Sequence, residues 1–306
     1  MTGASVATAV ALAAITAGFA QAPGSWASAA QPPARSAPPG AGMATPAGRS
    51  PLEVTGATRI EYDDASQQWM FLGARVVVVR GNVRVEAPEI LYRERAREAV
   101  LPRGGAVVTP TLEVTADRIA AQLGSRHIVA DGHVGGRFSN GDEPSPGGPQ
   151  QRVWTTFASD RLEADDRQEL QQIVATGQVV IVREGRRLSG DRVVYRPRAQ
   201  EATVDGHAEL ARGSDRLRAD HVVADLGRQE ARADDHVLLD HEDIHGTADH
   251  ATYSEPAETA VLSGNVMLLR GRDTLTADRA TVLLDRHTAV GEGHVRVVAY
   301  PEGSSP

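Results

Sequence analysis

LSGDRVVYRPRAQEATVDGHAEL, residues Leu188–Leu210, decides the fold, because most of the remaining chain repeats it. A hydrophobic and a small residue lead into Asp191-Arg192, and a Val-Val-Tyr run follows. A polar turn at 196–200 then precedes a second apolar run through Gly206. The template recurs as LRADHVVADLGRQEARADDHVLL from Leu217, as HGTADHATYSEPAETAVLSGNVMLL from His245, and as LTADRATVLLDRHTAVGEGHVRVV from Leu275. The Asp slot falls at Asp191, Asp220, Asp249 and Asp278, 29 residues apart each time. The Gly slot falls 15 residues later, at Gly206, Asp235, Gly264 and Gly293. A fixed period of this size marks a repeat architecture.

The pattern extends upstream. Asp160 pairs with Gly177, Asp117 with Gly132, and two degenerate copies put Pro88 before Gly105 and Thr58 before Gly73. The gaps between successive slots are 30, 29, 43, 31, 29, 29 and 29. The outlier holds a turn-rich insertion at 139–153, SNGDEPSPGGPQQRV, of the kind that forms a surface loop. Eight units therefore cover Val54 to Val298.

The units read as strands. Ile173, Ala175, Gly177, Val179 and Ile181 alternate, as do Ala260, Leu262, Gly264, Val266 and Leu268, and period two belongs to a half-buried strand. Each unit then supplies two strands joined by a polar turn, about sixteen in all. The inward parity reverses at the Asp: Leu217 and Ala219 lie at odd offsets before Asp220, whereas Val193 and Tyr195 lie at even offsets after Asp191. A continuous strand cannot reverse its phase, so a bulge or corner is predicted at each Asp, with the Asp-Arg pairs outside. The small residue in front (Ala87, Ala116, Ser159, Gly190, Ala219, Ala248, Ala277) lets the chain bend. Alternation passes through the Gly slot unbroken, which places Gly132, Gly177, Gly206 and Gly264 inside as a narrow seam of a V-shaped section. At ~4.8 Å between stacked strands, eight stacked units span on the order of 40 Å.

Composition narrows the function. The net charge of −8 argues against a nucleic-acid binder, because phosphate neutralisation needs a basic face. Zero cysteines exclude disulfides, thiolate metal sites, cysteine nucleophiles and a lipid-modified N-terminal cysteine. Aromatics are 4% of a chain that is 41% hydrophobic, so the core is Val, Leu, Ile and Ala. No nucleophile elbow, phosphate loop or zinc-protease motif occurs, and Asp-Arg pairs that recur in unit after unit read as structural rather than catalytic. No cofactor and no metal is expected. His236, His241, His245 and His250 crowd together, but their spacing follows the repeat and not a ligand pattern. Tyr62, Tyr92, Tyr195 and Tyr253 share one template position at the core edge.

Residues 1–22 hold a small-apolar run, Ala4–Ala20, and an Ala20-Gln21-Ala22 cleavage pattern, with no Lys or Arg before Arg35. They read as a signal peptide, or alternatively as an uncleaved anchor. Pro, Gly, Ala and Ser dominate 23–52, the composition of a disordered linker. A repeat domain at 53–300 and a tail at 301–306 complete the chain.

Leu275-Thr276-Ala277-Asp278-Arg279, Leu262-Ser263-Gly264-Asn265-Val266, Gly81-Asn82-Val83 and Ser189-Gly190-Asp191-Arg192-Val193-Val194-Tyr195 resemble the OstA-like family of lipopolysaccharide transport proteins, LptA among them. The resemblance covers most of Val54 to Val298. It implies an all-β, twisted antiparallel β-jellyroll open along one side, whose hydrophobic groove shields lipid A acyl chains. It further implies a periplasmic bridge between the membranes, with LptC-type and LptD-type jellyrolls as partners and head-to-tail self-association through edge strands. The chain has more units than a compact bridge needs, and no outer-membrane barrel follows. An LptC-type anchored component and a non-transporting structural β-repeat of the envelope are the alternatives. The parity rule nominates Val134, Ile173, Val179, Ile181, Val204, Leu210, Val237, Leu239, Leu262, Val266, Leu268, Val295 and Val297 as groove lining.

Overall fold

The computed structural model describes residues 51–300 apart from 140–141, 144–150, 153, 167–169, 184, 214, 226–227, 242–243, 255 and 284–287. The expected signal or anchor segment, the linker up to residue 50 and the tail lie outside the described residues. All regular structure among the described residues is β-strand. The first strands are β1 (Leu52–Thr55), β2 (Arg59–Asp63), β3 (Gln68–Arg80), β4 (Val83–Arg93), β5 (Glu98–Leu101), β6 (Gly105–Val108), β7 (Leu112–Ala116), β8 (Arg118–Gln122) and β9 (His127–Phe138). Within the insertion come β10 (Asp142–Glu143) and β11 (Gln151–Arg152). Then follow β12 (Thr155–Asp166), β13 (Leu170–Arg183), β14 (Arg186–Arg196), β15 (Glu201–Arg212), β16 (Asp215–Asp225) and β17 (Glu230–His241). The last are β18 (Ile244–Ser254), β19 (Thr259–Arg270), β20 (Asp273–Leu283), β21 (Thr288–Glu292) and β22 (Arg296–Val298).

Twenty strands form one antiparallel sheet, and β10 with β11 form a separate two-stranded ribbon. Four pairs are single rungs broken at the corner. β1 and β2 both pair with β3, β5 and β6 with β4, β7 and β8 with β9, and β21 and β22 with β20. Counting each broken pair once gives the sixteen rungs expected from eight units. The expected length was too short, because both strands of a unit stack as separate rungs. Sixteen rungs at ~4.8 Å extend over roughly 70 Å.

The corner has a repeated construction. Thr176 faces Arg192 and Val179 faces Gly190, so Gly177 and Gln178 together oppose Asp191. The same two-against-one shift separates Asp205 from Ala208, Asp234 from Val237, and Ser263 from Val266. Both bulge residues adopt left-handed backbone, with φ of 75° at Gly177 and 45° at Gln178, and 71° at Gly206 and 47° at His207. This corrects the sequence reading of the Gly slot. Gly206 does not line a seam: a Cβ there would lie 2.3 Å from Oδ2 of Asp191, the exposed corner residue of the preceding strand. The narrow inside of the bend is the small-residue column instead. Gly190, Ala219, Ala248 and Ala277 are buried, and a Cβ on Gly190 would lie 2.5 Å from Cγ1 of Val204.

The phase reversal at the Asp follows directly. In β14, Gly190 is buried before the corner and Val193 and Tyr195 after it, while Asp191 and Arg192 both face solvent. The side chain in the second left-handed position then ties the corner to that Asp. Imidazole Nδ1 of His133, His207 and His236 lies 2.6, 2.8 and 2.7 Å from Oδ2 of Asp117, Asp191 and Asp220. Asn265 Nδ2 donates to Asp249 over 2.8 Å. An L-residue in this conformation costs ~1–2 kcal/mol, and these side-chain bonds offset part of it.

Candidate binding interior

Each bent strand presents two arms, and the apolar faces of the arms meet. The buried side chains fall into two clusters. The first runs from Phe71 to Tyr195 and is closely filled: Val76, Val85, Ile90, Leu101, Leu112, Val114, Ile119 and Leu162 are all fully buried. Each such side chain contributes ~1.5–3 kcal/mol by leaving water. The two rims are tied together across this cluster. Arg80 donates to the Tyr92 hydroxyl over 3.2 Å. Thr109 and Thr111, from the β6–β7 turn, donate to the buried carboxylate of Asp166 at the far end of β12, at 2.6 and 3.1 Å.

The second cluster, from Ala175 to Val282, uses smaller residues, mainly Val, Ala and Leu. At the junction of the two lies an apolar cavity of about 120 Å³. Its walls come from both arms, with Ile181, Leu188 and Leu210 on one side and Val193, Tyr195, Val204 and Val222 on the other. Towards the first cluster it ends at Phe138 and Tyr195, whose rings lie 5.5 Å apart, with Phe157 6.2 Å behind Phe138. Arg183 and Arg186, from the ends of β13 and β14, stand at its margin.

The nominated lining residues distribute as follows. Val134, Ile173, Val179, Val204, Leu210, Val237, Leu239, Leu262 and Val266 are buried in the interior. Ile181 and Leu268 are half-buried against the second cluster. Val295 and Val297 depart from the expected enclosure, at 46% and 57% exposed. Val297 faces Leu275 on β20, but it sits on the last described rung, and among the described residues no further strand covers it. Of the residues the cavity brings together, Ile181, Val204 and Leu210 were nominated. Phe138 and the three arginines, Arg183, Arg186 and Arg187, were not. Phe138 borders the insertion beyond the template's second run, whereas Phe157 holds the slot of Leu188, three residues before its Asp.

The histidine crowding resolves into separate pairs. His236 meets Asp220, His245 meets Asp240 and His250 meets Asp234, each at 2.7 or 2.8 Å. The side chain of His241 lies outside the described residues. Among the described residues no three such groups converge as metal ligands. Tyr92, Tyr195 and Tyr253 are buried, while Tyr62, on the first rung, is 43% exposed.

These features define a class: a stacked antiparallel β-jellyroll whose bent strands enclose an apolar interior. Residues 194–279 and 245–300 match the family described as LptA/(LptD N-terminal domain) LPS transport protein. Over this C-terminal part the chain is similar to that family. A solved structure that it resembles is LptH from Pseudomonas aeruginosa, described as the LptA homologous periplasmic component of the conserved lipopolysaccharide transport device. The two share 14% identity over 48% of this chain and 95% of LptH, with a TM-score of 0.25. No curated protein matches the chain.

Proposed function

We propose that this is a periplasmic lipopolysaccharide carrier that shields lipid A acyl chains between the two arms of its C-terminal rungs. The observation that carries the reading is the apolar cavity between the arms, in and beside the region that matches the lipopolysaccharide transport family. Aliphatic walls supply roughly 0.8 kcal/mol for each methylene removed from water, without directional bonds, which suits a cargo that must slide.

Both ends of the stack suit assembly by strand addition. Ile60 and Tyr62 are exposed on the first rung, and Val290, Val295 and Val297 on the last. In this reading one end meets an LptC-type and the other an LptD-type jellyroll, or a second copy. The filled first cluster favours a dry structural role for the N-terminal rungs alongside the carrier role of the C-terminal ones.

Photocrosslinking amino acids at Val179, Val204, Leu210 and Val266 test the proposal in cells that make lipopolysaccharide. Adducts with lipopolysaccharide are expected at these positions and not at Val85 or Val114 in the filled cluster. Their absence from all four C-terminal positions would leave only the structural role.

A further inference from the structure

We propose that Asp166, with Thr109 and Thr111, is a latch that holds the two arms shut over the N-terminal rungs, and that its release parts Phe138 from Tyr195 and opens those rungs to the cargo. The latch is a property of the fold; its use in transport rests on the carrier reading. Three observations meet in it.

The first is where the carboxylate lies. Asp166 ends β12 on one arm and is fully buried, at 0% exposure. Its main chain is tied to that arm, where its N–H donates to the Arg126 carbonyl over 3.0 Å. Its carboxylate accepts from the other arm instead, from Thr109 over 2.6 Å and from Thr111 over 3.1 Å at each oxygen. Among the described residues the carboxylate has these two hydroxyls as partners and no cation.

The second is what the latch is coupled to. The turn that supplies the hydroxyls also holds the aromatic wall. The Thr111 carbonyl accepts from the Ser139 N–H over 2.9 Å, and Leu112 faces Phe138 in the β7–β9 register. Phe138 therefore moves with the hydroxyl side of the latch. Tyr195, 5.5 Å from it, belongs to the carboxylate side, where Ala164 faces Ile173 and Ile173 faces Tyr195 across β12, β13 and β14. Separating the arms at Asp166 separates the rings. Arg80 and Tyr92 hold the rims nearer the first rung, so release opens the end that adjoins the cavity.

The third is energetic. Burying a carboxylate is costly unless it is paired, and hydrogen bonds to a charged group return a similar amount. The closed state is therefore near balance, because the carboxylate and both hydroxyls regain water when the arms part. A rim sealed by leucine and valine has no such return, since exposed aliphatic surface is unfavourable in water. Here the polar bond closes an interior of Leu112, Val114 and Leu162, all fully buried. That combination suits a closure that reopens.

The test is amide exchange and photocrosslinking in the full-length protein. The variants are T111V, which removes one hydroxyl at nearly constant shape, T111S, which keeps it, and D166A. T111V should speed exchange of the Leu112 and Phe138 amides about tenfold, the loss of one hydrogen bond to a charged group. The Leu239 and Ala251 amides of the second cluster should be unchanged, and T111S should match the parent. With an aliphatic diazirine amino acid at Val114, purified lipopolysaccharide should give about tenfold more adduct in T111V than in the parent. T111V changes one atom group at the rim, so it decides the matter even where D166A fails to fold.

Unchanged exchange at Leu112 and Phe138 in T111V overturns the latch, because the bond then does not hold the arms. Equal acceleration in both clusters also overturns it, and makes the bond a general support of the fold. Local acceleration without a gain of Val114 adducts, while Leu210 still crosslinks to lipopolysaccharide, overturns the gating role and leaves the carrier reading standing. Local acceleration with no adduct at Leu210 or Val114 in any variant supports the latch and sinks the carrier reading.

Discussion

Replacing Gly206 by alanine tests the bulged corner that recurs on β13, β15, β17 and β19. The residue has φ of 71°, and an added Cβ would lie 2.3 Å from Oδ2 and 2.9 Å from Cβ of Asp191. Left-handed backbone costs an L-residue ~1–2 kcal/mol. Alanine recovers ~0.4–1 kcal/mol because its unfolded chain is less free than that of glycine. Asp191 must also swing away, which breaks its 2.8 Å contact with His207. The net expectation is a loss of about 1 kcal/mol for G206A, and more for G206V, since a β-branched residue tolerates this region least.

The chain contains the reverse experiment. Asp235 occupies the Gly slot of its unit with φ of 64°, and with Asp220 and Asp249 it acts on the adjacent His236. D235G relieves the backbone strain and removes one carboxylate that favours protonated His236, for a net gain of up to about 1 kcal/mol. Urea unfolding followed by circular dichroism reads both as midpoint shifts at constant slope. Stacked repeats unfold in segments as readily as all at once, so amide exchange at the corner should accompany it. If G206A is as stable as the parent, or D235G is less stable, the bulge is not what requires glycine.

Further expectations concern charge, the tie between the rims, and the interior. Hydrogen bonds donated to the carboxylates of Asp117, Asp191 and Asp220 raise the pKa values of His133, His207 and His236 above the ordinary histidine value. A raised folded pKa adds stability that is complete below the unfolded value near 6.5 and is lost as pH climbs through the folded one. Unfolding midpoints should therefore fall as pH rises from about 6 towards 8, and H133Q/H207Q/H236Q should flatten the slope; an unchanged slope rejects the pairing. D166A removes the buried acceptor of Thr109 and Thr111 and should cost on the order of 2 kcal/mol, with faster amide exchange around Leu112; a neutral outcome means the rims hold together without it. V266W overpacks a residue that is 1% exposed. It should abolish lipopolysaccharide crosslinking from Leu210 while leaving export intact, and normal crosslinking would place the cargo elsewhere.

The strands, their number and the outward Asp-Arg corners were legible because parity counts which face a residue takes. Leu188, Gly190, Val193 and Tyr195 show the reversal in the letters alone. The same count misled at the Gly slot. Ala175 and Val179 are four apart, an even step, so alternation reads as continuous even though Gly177 and Gln178 have left the ladder. The polar residue after each glycine, facing an Asp 16 positions earlier, was the overlooked sign of a bulge. Stack length was misjudged because one strand spacing was counted for each unit, although its two strands stack as separate rungs. The cavity was out of reach, since Phe138 and Tyr195 meet across 57 residues. Nothing in a 29-residue repeat encodes such a meeting.

The aromatic barrier at Phe138 and Tyr195 bears on how such molecules work in series. In the proposed carrier, a packed front and a receptive rear would make each copy a cup and not a length of pipe. A row of cups passes cargo only by decanting: the chain backs out sideways at the obstruction, or the rings part to let it through. Traffic along such a row would advance in discrete hops, one per molecule, and the pace would be set at that barrier, not along the aliphatic walls.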